Sequence, residues 1–209
     1  MKLFFLLFTL FFAPPVFTQA QPPWKELKER VIKIDLMRGG QKGKMHLINQ
    51  AREMADVCVE KNPNEAGCYY YRGQATGIYY AARVFGYPTG IRSMIKDWEK
   101  ALALDPQFDH GGPDRMLGEI YTDLPKHFGA KDVRQNLNKA IQSLEKSIQI
   151  SPDYPTQYLD LAEAYIKMKK TKEAEPMIEK AKALIAKWPA DPYFSGWQED
   201  TKELEEELK

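Results

Sequence analysis

"SPDYPTQYLDLAEAYIKMKKTKEAEPMIEKAKALI", residues 151–185, decides the fold. Tyr158, Leu161 and Tyr165 recur at helical spacing and form one apolar face. Ala162 lies on that face and lets a second helix come close, and Ala174, Ile178 and Ala181 supply the facing ridge. The turn "KMKKTKEAE", residues 167–175, joins the two without excess chain. This stretch is a helical hairpin, with Pro152 closing the helix before it.

Working outward, the same order recurs. "KNPNEAGCYYYRG" (61–73), "LDPQFDHGGPDRMLGEIY" (104–121) and "KWPADPYFSGW" (187–197) each put a Pro at the close of one helical stretch and aromatics at the start of the next. Ala140, Leu144 and Ser147 precede Pro152; Leu117, Gly118 and Tyr121 open that unit. Met94, Trp98 and Ala101 precede Pro106, with Tyr69 and Gly73 opening. Ala51, Ala55 and Cys58 precede Pro63, and Pro23 starts a first helix faced by Trp24, Leu27, Val31 and Ile34. The order bulky, apolar, small, aromatic, then small, bulky, small is that of the tetratricopeptide repeat. The expectation is an all-α chain: an α-solenoid of about four tetratricopeptide-like hairpins with a C-terminal capping helix. The units are about 23–62, 63–105, 106–151 and 152–188, with the cap at 189–209, all in one repeat domain over 21–209.

Two units break the spacing. A tetratricopeptide unit places its two small residues 12 positions apart, as Ala162 and Ala174 are, but Gly73 to Met94 is 21 and Gly118 to Ala140 is 22. The additions, "YYAARVFGYPTGIRS" (79–93) and "YTDLPKHFGAKDVRQ" (121–135), both set aromatics beside Gly, Pro and basic residues, and helix is expected to resume at about Val133. Additions at equivalent turns of a solenoid project from one edge next to each other. Tyr79, Phe85, Tyr87, Tyr121 and Phe128 are therefore candidate binding residues, and Tyr69 joins them because one of Tyr69, Tyr70 and Tyr71 is expected on the concave side. The plainer alternative is that the additions only lengthen and cap the helices.

The first twenty residues read as a secretory signal peptide. Lys2 is the only charge, an apolar run spans Leu3–Phe12, and Thr18-Gln19-Ala20 suits cleavage. The run is short for a membrane span, and no cysteine follows it to take a lipid. The expected location is periplasmic or secreted. Without residues 1–20 the 29 acidic residues face 29 Lys and Arg, a balance that disfavours nucleic acid or an anionic membrane as partner. No later segment is apolar enough for direct membrane insertion. Cys58 and Cys68 would form a disulfide in an oxidising compartment; two buried thiols are the alternative.

Enzymatic and metal chemistry find no support. His110-Gly111-Gly112 lacks the Gly-x-Ser-x-Gly elbow that would make it an oxyanion loop. His46, His110 and His127 have no metal-ligand spacing, and Gly39-Gly40 is a turn and not a phosphate loop. No cofactor and no catalytic residue is expected.

"GGPDRMLGEIY" after "DP", the Leu124–Pro125 joint, and "SLEKSIQISPDYPTQYLDLAEAY" (143–165) resemble the tetratricopeptide T-component proteins of TRAP transporters, over roughly residues 45–190. The resemblance implies a non-enzymatic periplasmic scaffold that docks the solute-binding protein of an organic-acid uptake system and oligomerises. Gly111, Gly112 and Pro113, with Arg115, match the family's helix start, and Leu124 and Pro125 its joint. Family members are often lipid-anchored, and this chain departs from them there. Arg115, in the first turn after Pro113, is placed to clamp a carboxylate; a surface ion pair with Asp114, Glu119 or Asp123 is the favoured alternative. The other functional expectation is a general envelope assembly or chaperone-like adaptor that takes extended peptides in its groove.

Overall fold

The computed structural model describes residues 21–37, 41–82, 87–127 and 130–209, with the side chains of 41, 42 and 87 left out. The expected signal peptide therefore lies outside the described residues, as do the Gly39-Gly40 turn, Phe85, Phe128 and the side chain of Tyr87. Nine α-helices are present among the described residues, and no strand: α1 (Lys25–Asp35), α2 (Gln41–Lys61), α3 (Ala66–Ala81), α4 (Tyr87–Leu104), α5 (Phe108–Asp123), α6 (Leu137–Ile150), α7 (Thr156–Lys167), α8 (Thr171–Ile185) and α9 (Phe194–Glu207). None is long and apolar enough to cross a membrane.

The helices pair as α1/α2, α3/α4, α5/α6 and α7/α8, and each second helix also packs on the first helix of the next pair. Contacts also run α1 to α3 to α5 to α7 to α9, so these five form an inner layer and α2, α4, α6 and α8 an outer one. This is the all-α solenoid of hairpins that the repeat pattern implies. Its close approaches fall at small residues. Ala162, Ala174 and Ala181 are fully buried around Ile178, and a Cβ on Gly118 would lie 2.4 Å from Leu144. Packing of this kind stabilises by roughly 25 cal/mol per Å² of apolar surface buried.

The two lengthened turns fold differently despite their similar composition. The first is mostly helix: α3 and α4 have 16 and 18 residues, where α7 and α8 have 12 and 15. The plainer alternative holds over that much of it. The second stays irregular, with Leu124 buried and a single 3-10 turn at Lys131–Val133. Helix resumes at Leu137 and not at Val133, because Asn136 caps it: its side-chain oxygen accepts from the Lys139 amide at 3.0 Å. The joint is tied back to α5 by Asn136 N–H to Tyr121 O (3.0 Å) and Gln135 Nε2 to Thr122 O (2.8 Å).

Cys58 and Cys68 are bridged, with Cα atoms 5.4 Å apart, and the bond ties the end of α2 to the start of α3.

Candidate functional site

The first turn of α5 is not helical. Asp109, His110 and Gly111 all take left-handed backbone angles (φ 49°, 63° and 74°). Such a conformation is costly for residues other than Gly and persists only where surrounding structure holds it. Side chains from the next two helices do so: Ser147 Oγ of α6 donates to the Gly111 carbonyl at 2.9 Å, and Gln157 Nε2 of α7 to that of His110 at 3.2 Å. Gly112 follows because nothing larger fits; a Cβ there would lie 2.7 Å from the Tyr70 hydroxyl oxygen. Pro113 then starts the regular helix, where its missing N–H costs nothing.

This turn aims Asp109 and Arg115 at the concave face. Asp109 pairs with Lys28 of α1 at 3.1 Å and receives the Tyr71 hydroxyl at 3.5 Å. Arg115 is 8% exposed; its Nη2 donates to Tyr70 Oη at 2.8 Å and its Nη1 lies 4.0 Å from Glu119. The surface ion pair expected for Arg115 is thus a long contact, and its firm partner is a buried phenol.

Around these residues the inner layer lines a concave, partly open cavity of about 660 Å³, with walls drawn from α1 through α9. It is closed at one end by Tyr193, whose hydroxyl donates to Asp35 across 3.0 Å and so joins the approach to α9 with the end of α1. Its lining includes the apolar side chains Ile34, Ile48, Ile78, Met116 and Ile120. It also carries charge. Asp109, Glu119, Asp123 and Asp160 line α5 and α7, and Asp35, Asp191 and Asp200 the closing end, against Lys28, Lys44 and Arg115.

The carboxyls respond to that imbalance. Burial pushes Glu119 up to about 7, with Arg115 opposing and Asp123, Asp35 and Glu163 adding to the rise. Burial and the neighbouring Glu119 raise Asp160 well above the usual carboxylate range, although Arg115 works against the rise. At Asp109 burial also works upward, but the charges of Lys28 and Arg115 outweigh it and hold the group below its ordinary value.

A second cleft of about 380 Å³ lies where the two lengthened hairpins meet. Arg92 of α4 pairs with Asp132 of the irregular loop, Nε to Oδ2 at 2.6 Å. Lys96, Lys131, Arg134 and Lys139 line the same cleft, so its wall is cationic.

The binding candidates named from sequence divide between these places. Arg115 is in the cavity wall and Tyr121 in the cleft, where Lys139 Nζ donates to its hydroxyl at 2.5 Å. Tyr79 lies in neither, and packs under the Arg52 guanidinium at 4.0 Å. Tyr69 is half-buried, with its hydroxyl on Pro63 O at 3.1 Å; Tyr71 is the member of its triplet that lines the cavity. Sequence reasoning missed Asp109, Asp160, Tyr71, Asp35 and Tyr193. Asp160 carried the one usable signal, a carboxylate set within the apolar run "YLDLAEAY". Among the described residues no group of His, Cys, Asp and Glu is arranged to hold a metal ion.

Residues 134–191 match the family model of the tetratricopeptide repeat. A thermophilic TPR protein of Thermus thermophilus has a similar structure, with a TM-score of 0.59 at 20% identity over 79% of this chain and 75% of that one. No curated protein matches. Paired helices, a concave inner layer and these likenesses define a tetratricopeptide-type fold. Folds of this class are generally scaffolds for protein–protein interaction.

Proposed function

We propose that the chain is a non-enzymatic periplasmic tetratricopeptide scaffold of the type associated with TRAP transporters, and that it docks the solute-binding protein of an organic-acid uptake system. The observation that carries this reading is the Arg92–Asp132 pair. It draws the two lengthened hairpins into one edge, and Lys96, Lys131, Arg134 and Lys139 make that edge cationic. Such an edge suits an acidic patch on a folded partner and would speed the encounter electrostatically. The adaptor reading, with extended peptides in the groove, is less favoured. The groove is bridged at one end by Tyr193 and Asp35, which obstructs an extended chain there.

Crosslinked pull-down from the cell envelope tests the proposal, comparing the mature chain with a Lys96→Glu/Lys139→Glu variant. Recovery of one solute-binding protein by the native chain, and its loss with the variant, is the expected result. The same broad set of envelope proteins on both would overturn it in favour of the adaptor.

A further inference from the structure

We propose that the concave cavity is a binding site for a small zwitterion, an α-amino acid with an apolar side chain. Its volume, about 660 Å³, is in the range of small-molecule pockets. Three polar atoms buried in its wall have no hydrogen-bond partner: Gln74 Oε1, Arg115 Nε and Asp160 Oδ2. Native structures pair nearly all such atoms, and the exceptions call for an explanation. Arg115 is 8% exposed and its Nη2 is taken by Tyr70, so its Nε is a fixed donor that needs an acceptor. Asp160 Oδ2 and Gln74 Oε1 likewise lack a partner. Arg115 and Asp160 line the same cavity, so one ligand held in it can meet both.

The balance of charge decides what that ligand carries. Seven carboxyl groups line the cavity against three cations, and with Glu119 and Asp160 holding their protons the remainder is still acidic, so a plain organic acid meets net repulsion. An amine alone leaves Arg115 Nε unmet. An ammonium placed on Asp160 and Gln74 draws the Asp160 carboxyl into its ionised form, and with a carboxylate on Arg115 it satisfies all three atoms. The side chain then lies on Ile34, Ile48, Ile78 and Met116, apolar members of the lining. The site uses the cavity and not the cationic edge, so partner capture and amino-acid binding are lost or kept separately.

The test is titration calorimetry, with thermal melting alongside, on the purified mature chain. Leucine, isoleucine, valine, methionine and phenylalanine are tried singly at millimolar concentration. The best of them is then compared with the amine lacking its carboxylate and the acid lacking its ammonium group. Saturable binding of an amino acid is expected, with both truncated analogues at least about tenfold weaker, because a site built for a polar group rejects the analogue without it. Asp160→Asn, with native helicity retained, is expected to weaken binding by a similar factor. If that variant fails to fold, the analogue series on the native chain still decides. Binding of none of the five overturns the proposal, as does equal binding of either analogue or unchanged affinity in a folded Asp160→Asn.

Discussion

Tyr193 and Asp35 stand 158 positions apart in the chain, yet the phenol donates to the carboxylate across 3.0 Å. Each helix of a solenoid ordinarily touches only its neighbours. Here a side chain on the approach to α9 reaches the end of α1 and bridges the concave face at that end. Burial by its surroundings, with the Asp35 charge and hydrogen bond, pushes the Tyr193 phenol well up from its ordinary value.

Removing that bond should loosen the closure and leave the repeats intact. Tyr193→Phe is expected to cost no more than about 1 kcal/mol, since Asp35 is exposed and can turn to water. Hydrogen exchange should rise in α1 and α9 while α5–α8 keep their protection. Uniform loss of protection would mean that the two ends hold the whole core together.

Gly112→Ala should be far more costly than a helical Gly→Ala exchange usually is. The new methyl would lie 2.7–2.8 Å from the Tyr70 hydroxyl and ring. Tyr70 is fully buried and set edge-on against Tyr71 and Phe108 at 5.0 and 5.2 Å, so it has no room to retreat. Overpacking of this kind costs about 1–3 kcal/mol, readable as a lower urea midpoint. A stability within about 0.5 kcal/mol of native would show that the contact gives way cheaply.

The raised Glu119 carboxyl sets a pH dependence with a definite sign. Its ordinary value is 4.5 and burial takes it to about 7 in the fold, so the native chain keeps a proton that the unfolded chain has released. The contribution is full below 4.5 and is lost as pH rises through 7. Asp160 acts in the same direction. Asp109, held below its ordinary 3.8, acts oppositely and in more acid solution. Glu119 is 43% exposed to the cavity, so solvent screening leaves its share below about 1 kcal/mol. Denaturant melts at pH 5 and pH 8 should show native stability falling over that span, and Glu119→Gln should flatten the fall. An unchanged slope in the variant would exclude Glu119 as its source.

Lys169 ends α7 in a left-handed conformation (φ 62°), with Lys169 N–H on Ile166 O at 2.7 Å and Lys170 N–H on Tyr165 O at 2.9 Å. This is the helix terminus that favours Gly. Lys169→Gly should therefore stabilise or be neutral, by up to about 1 kcal/mol. Clear destabilisation in thermal melts would show that the lysine makes a compensating contact.

Legibility followed the range of the interactions. The hairpins were readable because helix faces repeat at 3.6 residues and small residues mark close approaches; Ala162, Ala174, Ile178 and Ala181 are buried together as that pattern implies. The Cys58–Cys68 bridge was readable as a pair of cysteines in a chain expected in an oxidising compartment. The cavity was not, because its wall is assembled from Lys28, Asp109, Arg115 and Asp160 on different repeats. The closure by Tyr193 depends on the accumulated turn of the solenoid, which no local pattern encodes. The similar composition of the two long turns also misled. Chain at 79–93 is mostly helix, while 124–136 is irregular because Asn136 delays the next helix and Pro125 interrupts the previous one.

Closure of the inner layer is the central claim, and a distance between its two ends tests it most directly. Lys33 on α1 and Gln198 on α9 are exposed, and Cys58 and Cys68 are bridged, so cysteines introduced at 33 and 198 take spin labels selectively. Double electron–electron resonance should give one narrow distance distribution in the native background, and a broader one in Tyr193→Phe. A broad native distribution reaching to longer distances, unaltered by Tyr193→Phe, would contradict the bridged concave face and leave an open solenoid.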